Sequence, residues 1–199
     1  ASVVTGTFHY DLSLGAGESG STTLLGRMAD IFVAQYKGDG TLAWATKAGG
    51  PLSDAALDLA TLPDGSTFVT GYYDTTALFG EGEAGETRLS VQGENDQIFL
   101  AKYSGDGTLA WARGAGGSGK EGGKSVAVDR DGNAFVGGGF SGDVVFGEGE
   151  EGETAMSPIE SVWGDGFLAF YREDGSFAWS RQVGSTGYDE VQALETLPD

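Results

Sequence analysis

The sequence lacks several residue types on which protein chemistry often depends. It has no cysteine, a single histidine and only four prolines in 199 residues. Without cysteine, disulfides and thiolate metal sites cannot form. His9 alone cannot supply a His-based metal centre or a Ser-His-Asp triad. No apolar run approaches the roughly 18 residues that a membrane-spanning helix needs, so we expect no membrane insertion.

Positive charge is also scarce. Eleven Lys and Arg face 30 Asp and Glu, which gives a formal net charge of −19. Nucleic acids and anionic membrane surfaces are recognised by basic patches, so neither is expected as a partner. The acidic excess fits either a solvated surface or loops that hold cations, and both interpretations stay open.

Glycine and aromatic residues are abundant instead. There are 36 Gly, 11 Phe, 7 Tyr and 4 Trp, and the hydrophobic share of 39% is too high for a disordered chain. Glycine at this frequency, placed among short runs of Val, Phe and Tyr, is typical of many short strands joined by tight turns. The composition therefore predicts an all-β fold.

One unit recurs three times along the chain. Its clearest marker is a tryptophan with Ala directly before it, at Trp44, Trp111 and Trp179. An Asp-Gly pair precedes each Trp by five residues, a Gly follows after five, and an acid follows after ten. These markers are Asp39, Asp106 and Asp174; Gly49, Gly116 and Gly184; and Asp54, Glu121 and Asp189. Such a register indicates repeated supersecondary units rather than chance.

Each unit is predicted to contain four antiparallel strands. Asp-Gly pairs between apolar runs are strong hairpin signals, because Gly accepts a positive φ without steric cost. The third strands, such as Ile98–Tyr103, are almost continuously apolar, which indicates a sheet covered on both faces. A long Gly/Glu loop is expected between the second and third strands.

This pattern resembles the bacterial β-propeller repeat of the seven-bladed type. The resemblance is carried by Asp30-Ile-Phe-Val-Ala-Gln-Tyr36 and Ala127-Val-Asp-Arg-Asp-Gly-Asn-Ala-Phe-Val-Gly-Gly138. It covers essentially the whole chain and implies propeller blades. Because the bearers of such repeats are mostly surface or secreted proteins, it also implies an extracellular or cell-surface location. The repeat is structural, so the resemblance implies no activity.

The repeats run over 1–65, 66–132 and 133–199 and form a single propeller segment. Three blades are fewer than an ordinary propeller needs, and the two ends are complementary, with a first strand predicted at Val191–Pro198 and a second strand at Ser2–Phe8. We therefore expect either further blades in a longer chain or a homodimer. In the homodimer, strand-exchanged termini would complete a six-bladed ring.

Two sets of acids are candidate ligand sites. Asp54, Glu121 and Asp189 are expected to ring the central channel, on the same face as the Gly/Glu loops that carry Glu81, Glu83, Glu148 and Glu150. Carboxylates within Gly-rich backbone suit Ca²⁺, so calcium is a candidate cofactor. The alternative is that these acids cap turns. The loops also satisfy G-x-G-x-x-G, but no helix follows to bind a pyrophosphate.

The repeated tryptophans are interpreted as packing between blades, whereas Trp163 falls outside the repeat and is a candidate surface contact. No catalytic residue is marked out. Three functions remain open: a non-enzymatic binding or assembly propeller that binds a protein or glycan through its acidic loop face; a lectin or carbohydrate-active enzyme; and a purely architectural or engineered repeat.

Overall fold

The computed structural model describes residues 1–90, 95–160 and 163–197, and these residues form seventeen β-strands. Across these ranges, no helix is long and apolar enough to cross a membrane. The strands are β1 (Ser2–Phe8), β2 (Asp11–Leu14), β3 (Thr22–Leu25), β4 (Asp30–Tyr36), β5 (Leu42–Gly49), β6 (Ala55–Thr61), β7 (Thr67–Asp74), β8 (Thr76–Phe79), β9 (Thr87–Ser90), β10 (Asp96–Tyr103), β11 (Leu109–Gly117), β12 (Glu121–Val128), β13 (Ala134–Phe140), β14 (Val144–Phe146), β15 (Thr154–Met156), β16 (Asp165–Tyr171) and β17 (Phe177–Val183).

Three antiparallel sheets form the blades. Blade A contains β1, β4 and β5; blade B contains β6, β7, β10 and β11; blade C contains β12, β13, β16 and β17. The all-β, repeated, propeller-like architecture expected from the sequence is therefore present. Two of the three blades have the expected four strands, whereas blade A has three. No strand ladder among the described residues joins blade A to blade C.

The segment between the second and third strands of each blade is a β-hairpin and not the long loop expected from the sequence. We call β2–β3, β8–β9 and β14–β15 hairpins A, B and C. Hairpin B pairs with the last strand of blade A, and hairpin C pairs in the same way with β11 of blade B. Each of these hairpins therefore extends the sheet of the preceding blade, which the sequence pattern did not indicate because the strands are only three or four residues long.

The hydrophobic core lies mainly at the two junctions between blades. Phe68 and Trp111 of blade B pack edge-to-face, with ring centroids 5.9 Å apart, in a cluster that also contains Val126 and Val136 of blade C. A second cluster joins blades A and B around Val33, Tyr73 and Phe99. Because both faces of blade B are covered, its third strand β10 is buried over seven of its eight residues.

The segment after β17 is not a strand, contrary to the expectation for Val191–Pro198, of which Pro198 lies outside the described residues. It is instead held along blade C, where the Leu194 amide donates to Ser125 Oγ at 3.0 Å. One blade earlier, the Val126 amide donates in the same manner to Asp58 Oδ2 at 2.8 Å. The segment therefore lies on blade C where β12 lies on blade B, but the described residues contain no second strand with which it pairs.

Candidate functional site

The repeated tryptophan of one blade contacts the Asp-Gly turn of the next. Trp44 of blade A donates its indole N–H to the Gly105 carbonyl of blade B at 3.1 Å. Its ring lies so close to Gly107 that a Cβ there would be 2.6 Å from it. Gly107 has φ +89°, a conformation that also favours glycine. Only glycine thus satisfies both the turn and the contact.

The same contact joins blades B and C. Trp111 donates to the Glu173 carbonyl at 3.1 Å, and a Cβ on Gly175 would lie 2.7 Å from its ring. The two most regular features of the sequence, the Trp and the Asp-Gly pair, are therefore partners across a blade junction. They do not pack on each other within one blade.

Each turn is shaped by its aspartate. Asp39 Oδ1 accepts the Thr41 amide at 3.0 Å and the Thr41 hydroxyl at 2.7 Å. Asp106 makes the same two bonds to Thr108, and Asp174 accepts the Ser176 amide. Bonds from the backbone amide and hydroxyl two residues on lower the pKa of all three carboxyls, since they stabilise the charged form.

Within the described part of the chain, one tryptophan and one turn have no such partner. Trp179 of blade C is half-buried and stacks on Phe170, with ring centroids 5.5 Å apart, beside the guanidinium of Arg181. At the other end of the molecule, Gly40 has φ +87° in the same kind of turn. Among the described residues, nothing lies within 4 Å of the position that its Cβ would occupy. These two ends present the two halves of the contact that joins the blades.

The acids predicted to ring the channel hold the connections between blades. Asp54 is fully buried, and its carboxylate accepts the amides of Gly50 at 2.6 Å and Asp74 at 3.0 Å. Asp30 lies close by, since both carboxylates crowd the position of a Cβ on Gly49. Burial, together with the charges of Asp30 and Asp74, raises the pKa of Asp54 to about 7 against the opposing effect of the two amides.

Glu121 and Asp189 occupy the corresponding places. Glu121 accepts the Gly119 amide at 3.0 Å, and burial raises its pKa to about 7. Asp189 accepts the Ser185 amide at 2.7 Å and is partly exposed. At the Glu121 junction, the uncharged Gln97 stands where Asp30 stands at the Asp54 junction. Glu121 therefore has no equivalent of the Asp30 carboxylate beside it. All three acids thus act as caps of the connecting segments, and a ligand role for them stays a prediction.

Glu83 and Glu150 do not lie on the face of these acids, contrary to expectation. Glu83 Oε2 accepts the Leu109 amide at 2.6 Å, at the start of β11, whereas Glu121 lies near the end of that strand. Nine residues of β-strand separate the two ends by about 25 Å. Glu150 accepts the Phe177 amide of blade C at 2.8 Å in the same way. The glycine-rich tip turns back onto its own blade because it is a tight hairpin and not an open loop.

The remaining tip glutamates are exposed. Glu81 lies 3.6 Å from Lys47 Nζ, and Glu148 faces solvent at the rim of hairpin C. In the described ranges, no three acidic or histidine side chains lie close enough together to hold a metal ion. Calcium binding at Glu81, Glu83, Glu148 and Glu150 stays a prediction.

Trp163 is 54% exposed, just before Gly164 at the start of the third strand of blade C. A ligand role for it also stays a prediction. Sequence reasoning missed Asp58, whose Oδ2 accepts both Ser125 Oγ and the Val126 amide across the blade B–C junction. No signal marked Asp58, since the other repeats have Ser125 and Ala193 at this position. It also missed Tyr73, although alignment of the repeats would have shown it as a departure from Phe.

Comparison with known proteins supports the repeat architecture. No family profile matches the chain. An uncharacterized WD repeat-containing protein of Acanthamoeba polyphaga mimivirus is 22% identical over 178 residues. The match covers 86% of this chain and 13% of that protein, so the chain spans a small part of its relative. Together with the antiparallel sheets, this likeness fits a β-propeller-like repeat.

Proposed function

We propose that this chain is a non-enzymatic binding and assembly module of the β-propeller type, which associates through the end faces of its blades. The observation that carries the proposal is the unmatched pair: Trp179 at one end and the open Asp39-Gly40 turn at the other. At both internal junctions, a Trp lies on such a turn. A contact between Trp179 of one copy and Gly40 of the next would repeat the same chemistry.

The rest of the blade C face supports this partner. It presents Phe135, Leu168 and Trp179, which lie at the positions of Phe68, Leu100 and Trp111 in blade B. The blade B residues are buried against blade C, whereas their counterparts are half-buried. A cavity of about 440 Å³ lies on this face, between the Leu194–Leu197 segment and the blade. Apolar surface of this kind gains most by burial against another blade.

Blade A offers the complementary edge. In blades B and C the second strand pairs with a first strand as well as with the third, but among the strands of the described chain β1 pairs with β4 alone. The segment Val191–Leu197 of another copy lies at the position of a first strand and lacks a second strand beside it. Head-to-tail association of two copies would pair them and close a six-bladed ring. Further blades of the same repeat in a longer chain would use the same surfaces.

The similarity to a WD repeat-containing protein is compatible with a scaffold role. The mimivirus relative contains WD repeats, and propeller repeats of this kind supply binding surfaces for other proteins. With a net charge of −19, the acidic hairpin tips would face a protein or glycan partner on the assembled ring. We place such a module outside the cell or on its surface, following the resemblance of its repeats.

The test is solution mass by light scattering over a range of protein concentrations. We expect a mass above one chain for the unaltered protein. Trp179→Ala should shift the mass to one chain, and so should Gly40→Asn, because Asn tolerates positive φ but fills the space for the indole. Trp163→Ala, which removes an exposed Trp outside this face, is the matched control and should leave the mass unchanged.

A well-folded chain that stays at the mass of one copy at high concentration would refute assembly. The same measurement in the presence of a chelator addresses calcium. A lower mass or Tm after chelation would support Ca²⁺ at the hairpin tips, and unchanged values would count against it.

A further inference from the structure

Tyr73 departs from its repeat by one hydroxyl group. In the strand register Tyr73 pairs with Gln97, while Phe8 pairs with Asp30 and Phe140 pairs with Asp165. The three aromatic residues therefore hold one position in three blades, and two of them are Phe. The fold needs an aromatic ring at this position, but it does not need the hydroxyl.

The extra hydroxyl is buried and unused by the protein. Tyr73 is 0% exposed, and among the described residues its Oη has no hydrogen-bonding partner. Burial, with the charges of Asp54 and Glu121, raises the pKa of Tyr73, so the group stays a neutral donor at physiological pH. A buried hydroxyl without a partner is costly, and buried polar groups are therefore almost always bonded. The hydroxyl requires an acceptor that the described chain does not supply.

A second departure from the repeat lies directly beside this hydroxyl. Gly114 pairs with Phe99 where Lys47 pairs with Phe32 and Gln182 pairs with Phe167. A Cβ on Gly114 would lie 2.9 Å from Tyr73 Oη. The glycine thus makes room for the Tyr73 hydroxyl itself, and it lines a groove at a position where the other blades carry a long side chain. Both departures occur in blade B and concern the same space.

That space is a groove of about 220 Å³ between hairpins B and C, large enough for a single sugar ring. Its polar lining includes the hydroxyl-bearing residues Tyr73, Tyr171 and Ser90, with Arg88 and Glu148 at the rim. Two further charged residues in the lining are already committed to backbone groups. Arg113 donates to the Gly175 and Ala112 carbonyls, and Glu150 accepts the Phe177 amide.

The uncommitted groups define the ligand chemistry. Arg88 and Glu148 carry opposite charges, so the groove has no strong preference for an anion or a cation. Tyrosine and serine hydroxyls both donate and accept, Arg88 only donates, and Glu148 only accepts. A small neutral molecule with several adjacent hydroxyls matches this mixture of donors and acceptors. A sugar ring also presents apolar C–H groups, which suit the half-buried Leu89 in the wall.

We propose that the groove between hairpins B and C binds a neutral monosaccharide, alone or as the end of a glycan, with the Tyr73 hydroxyl donating to a sugar oxygen. This site goes beyond the assembly function and does not depend on it, since it lies on a single chain. The corresponding groove between hairpins A and B, of about 630 Å³, differs in kind. There Phe8 and Lys47 stand at the positions of Tyr73 and Gly114.

The experiment is NMR of the ¹⁵N-labelled full chain titrated with free glucose, galactose, mannose, N-acetylglucosamine and, for comparison, glucuronate. We expect at least one neutral sugar to shift the amide signals of Gly114 and Ser90 with saturation. Tyr73→Phe should lower the affinity for that sugar by about three- to tenfold, which is the effect of losing one hydrogen bond, and should leave the fold intact. Gly114→Ala should abolish binding by displacing the hydroxyl.

Tyr103→Phe is the matched control, because it removes a tyrosine hydroxyl from a buried position outside the groove. It should leave the sugar affinity unchanged. Three results would overturn the proposal: no neutral sugar shifts these signals; Tyr73→Phe binds as tightly as the unaltered protein; or glucuronate binds more tightly than every neutral sugar. A lower Tm for Tyr73→Phe without loss of sugar binding would show that the hydroxyl serves the fold through water alone.

Discussion

Blades B and C carry the same face but meet different surroundings. Phe68, Leu100 and Trp111 on blade B are at most 9% exposed because blade C covers them. Their counterparts on blade C have no blade over them among the described residues. Phe135 and Leu168 line a cavity with the Leu194–Leu197 segment, Trp179 stacks on Phe170, and all three counterparts are half-buried. The comparison teaches that the repeat encodes a face on every blade, while burial of that face depends on the neighbour. Stability and assembly therefore use the same residues.

The largest difference between the two faces is expected when the tryptophan of each face is replaced by alanine. Trp111→Ala removes a buried indole, its bond to the Glu173 carbonyl and its packing on Phe68. We expect a loss of about 3–5 kcal/mol in the free energy of unfolding, measured by denaturant titration. Trp179→Ala in the monomeric chain should cost clearly less, because that indole is half-exposed. Equal losses would show that the two faces are equally buried in solution.

The two junctions between blades each contain a buried carboxyl that should make the free energy of unfolding depend on pH. Asp54 at junction A–B and Glu121 at junction B–C each have a pKa raised to about 7 by burial. Unfolded carboxyls have a pKa of about 4, so between pH of about 4 and 7 the folded chain binds more protons than the unfolded chain. The free energy of unfolding should therefore fall as the pH rises through this window and level off above it.

Denaturant titrations at pH 5 and pH 8 would measure this effect, and we expect a difference of a few kcal/mol. Glu121→Gln should remove a large part of the slope, because it cannot ionise and can still accept the Gly119 amide. Asp39→Asn is the control: the pKa of Asp39 is lowered, so its contribution is lost only below a pH of about 4. Stability that rises between pH 5 and pH 8 would contradict the raised pKa values.

The smallest effect is expected at the hairpin tips. Glu83 accepts the Leu109 amide, whereas the neighbouring Glu81 only faces Lys47 at the surface. Glu83→Ala should lower the free energy of unfolding by about 1–2 kcal/mol, since it leaves a half-buried amide without its charged acceptor. Glu81→Ala should change it by less than about 0.5 kcal/mol. Thermal unfolding of the two variants would separate them, and a larger effect of Glu81→Ala would argue for a role of that carboxylate in a ligand or metal site.

Most of the blade architecture could be predicted from short sequence patterns. The Asp-Gly turns and the apolar third strands predicted where strands begin and end, because turn geometry and burial act over a few residues. The hairpins were missed because β8 and β14 are short and their tip sequences resemble an open loop. The candidate site was harder to predict. The acids could be found, but whether a carboxylate faces solvent or a backbone amide depends on contacts between residues distant in sequence, such as Glu83 and Leu109.

Local sequence patterns are enough to specify an all-β, acidic protein built from a repeated unit marked by Trp and Asp-Gly. That these two markers are partners on different blades, as Trp44 and Gly107 are, is visible only once the sheets are stacked. The physical reason is that periodicity records what each unit requires, whereas the contact between units depends on how successive sheets stack. The same stacking isolates Trp179 and Gly40 at opposite ends, and it places the Tyr73 hydroxyl beside Gly114.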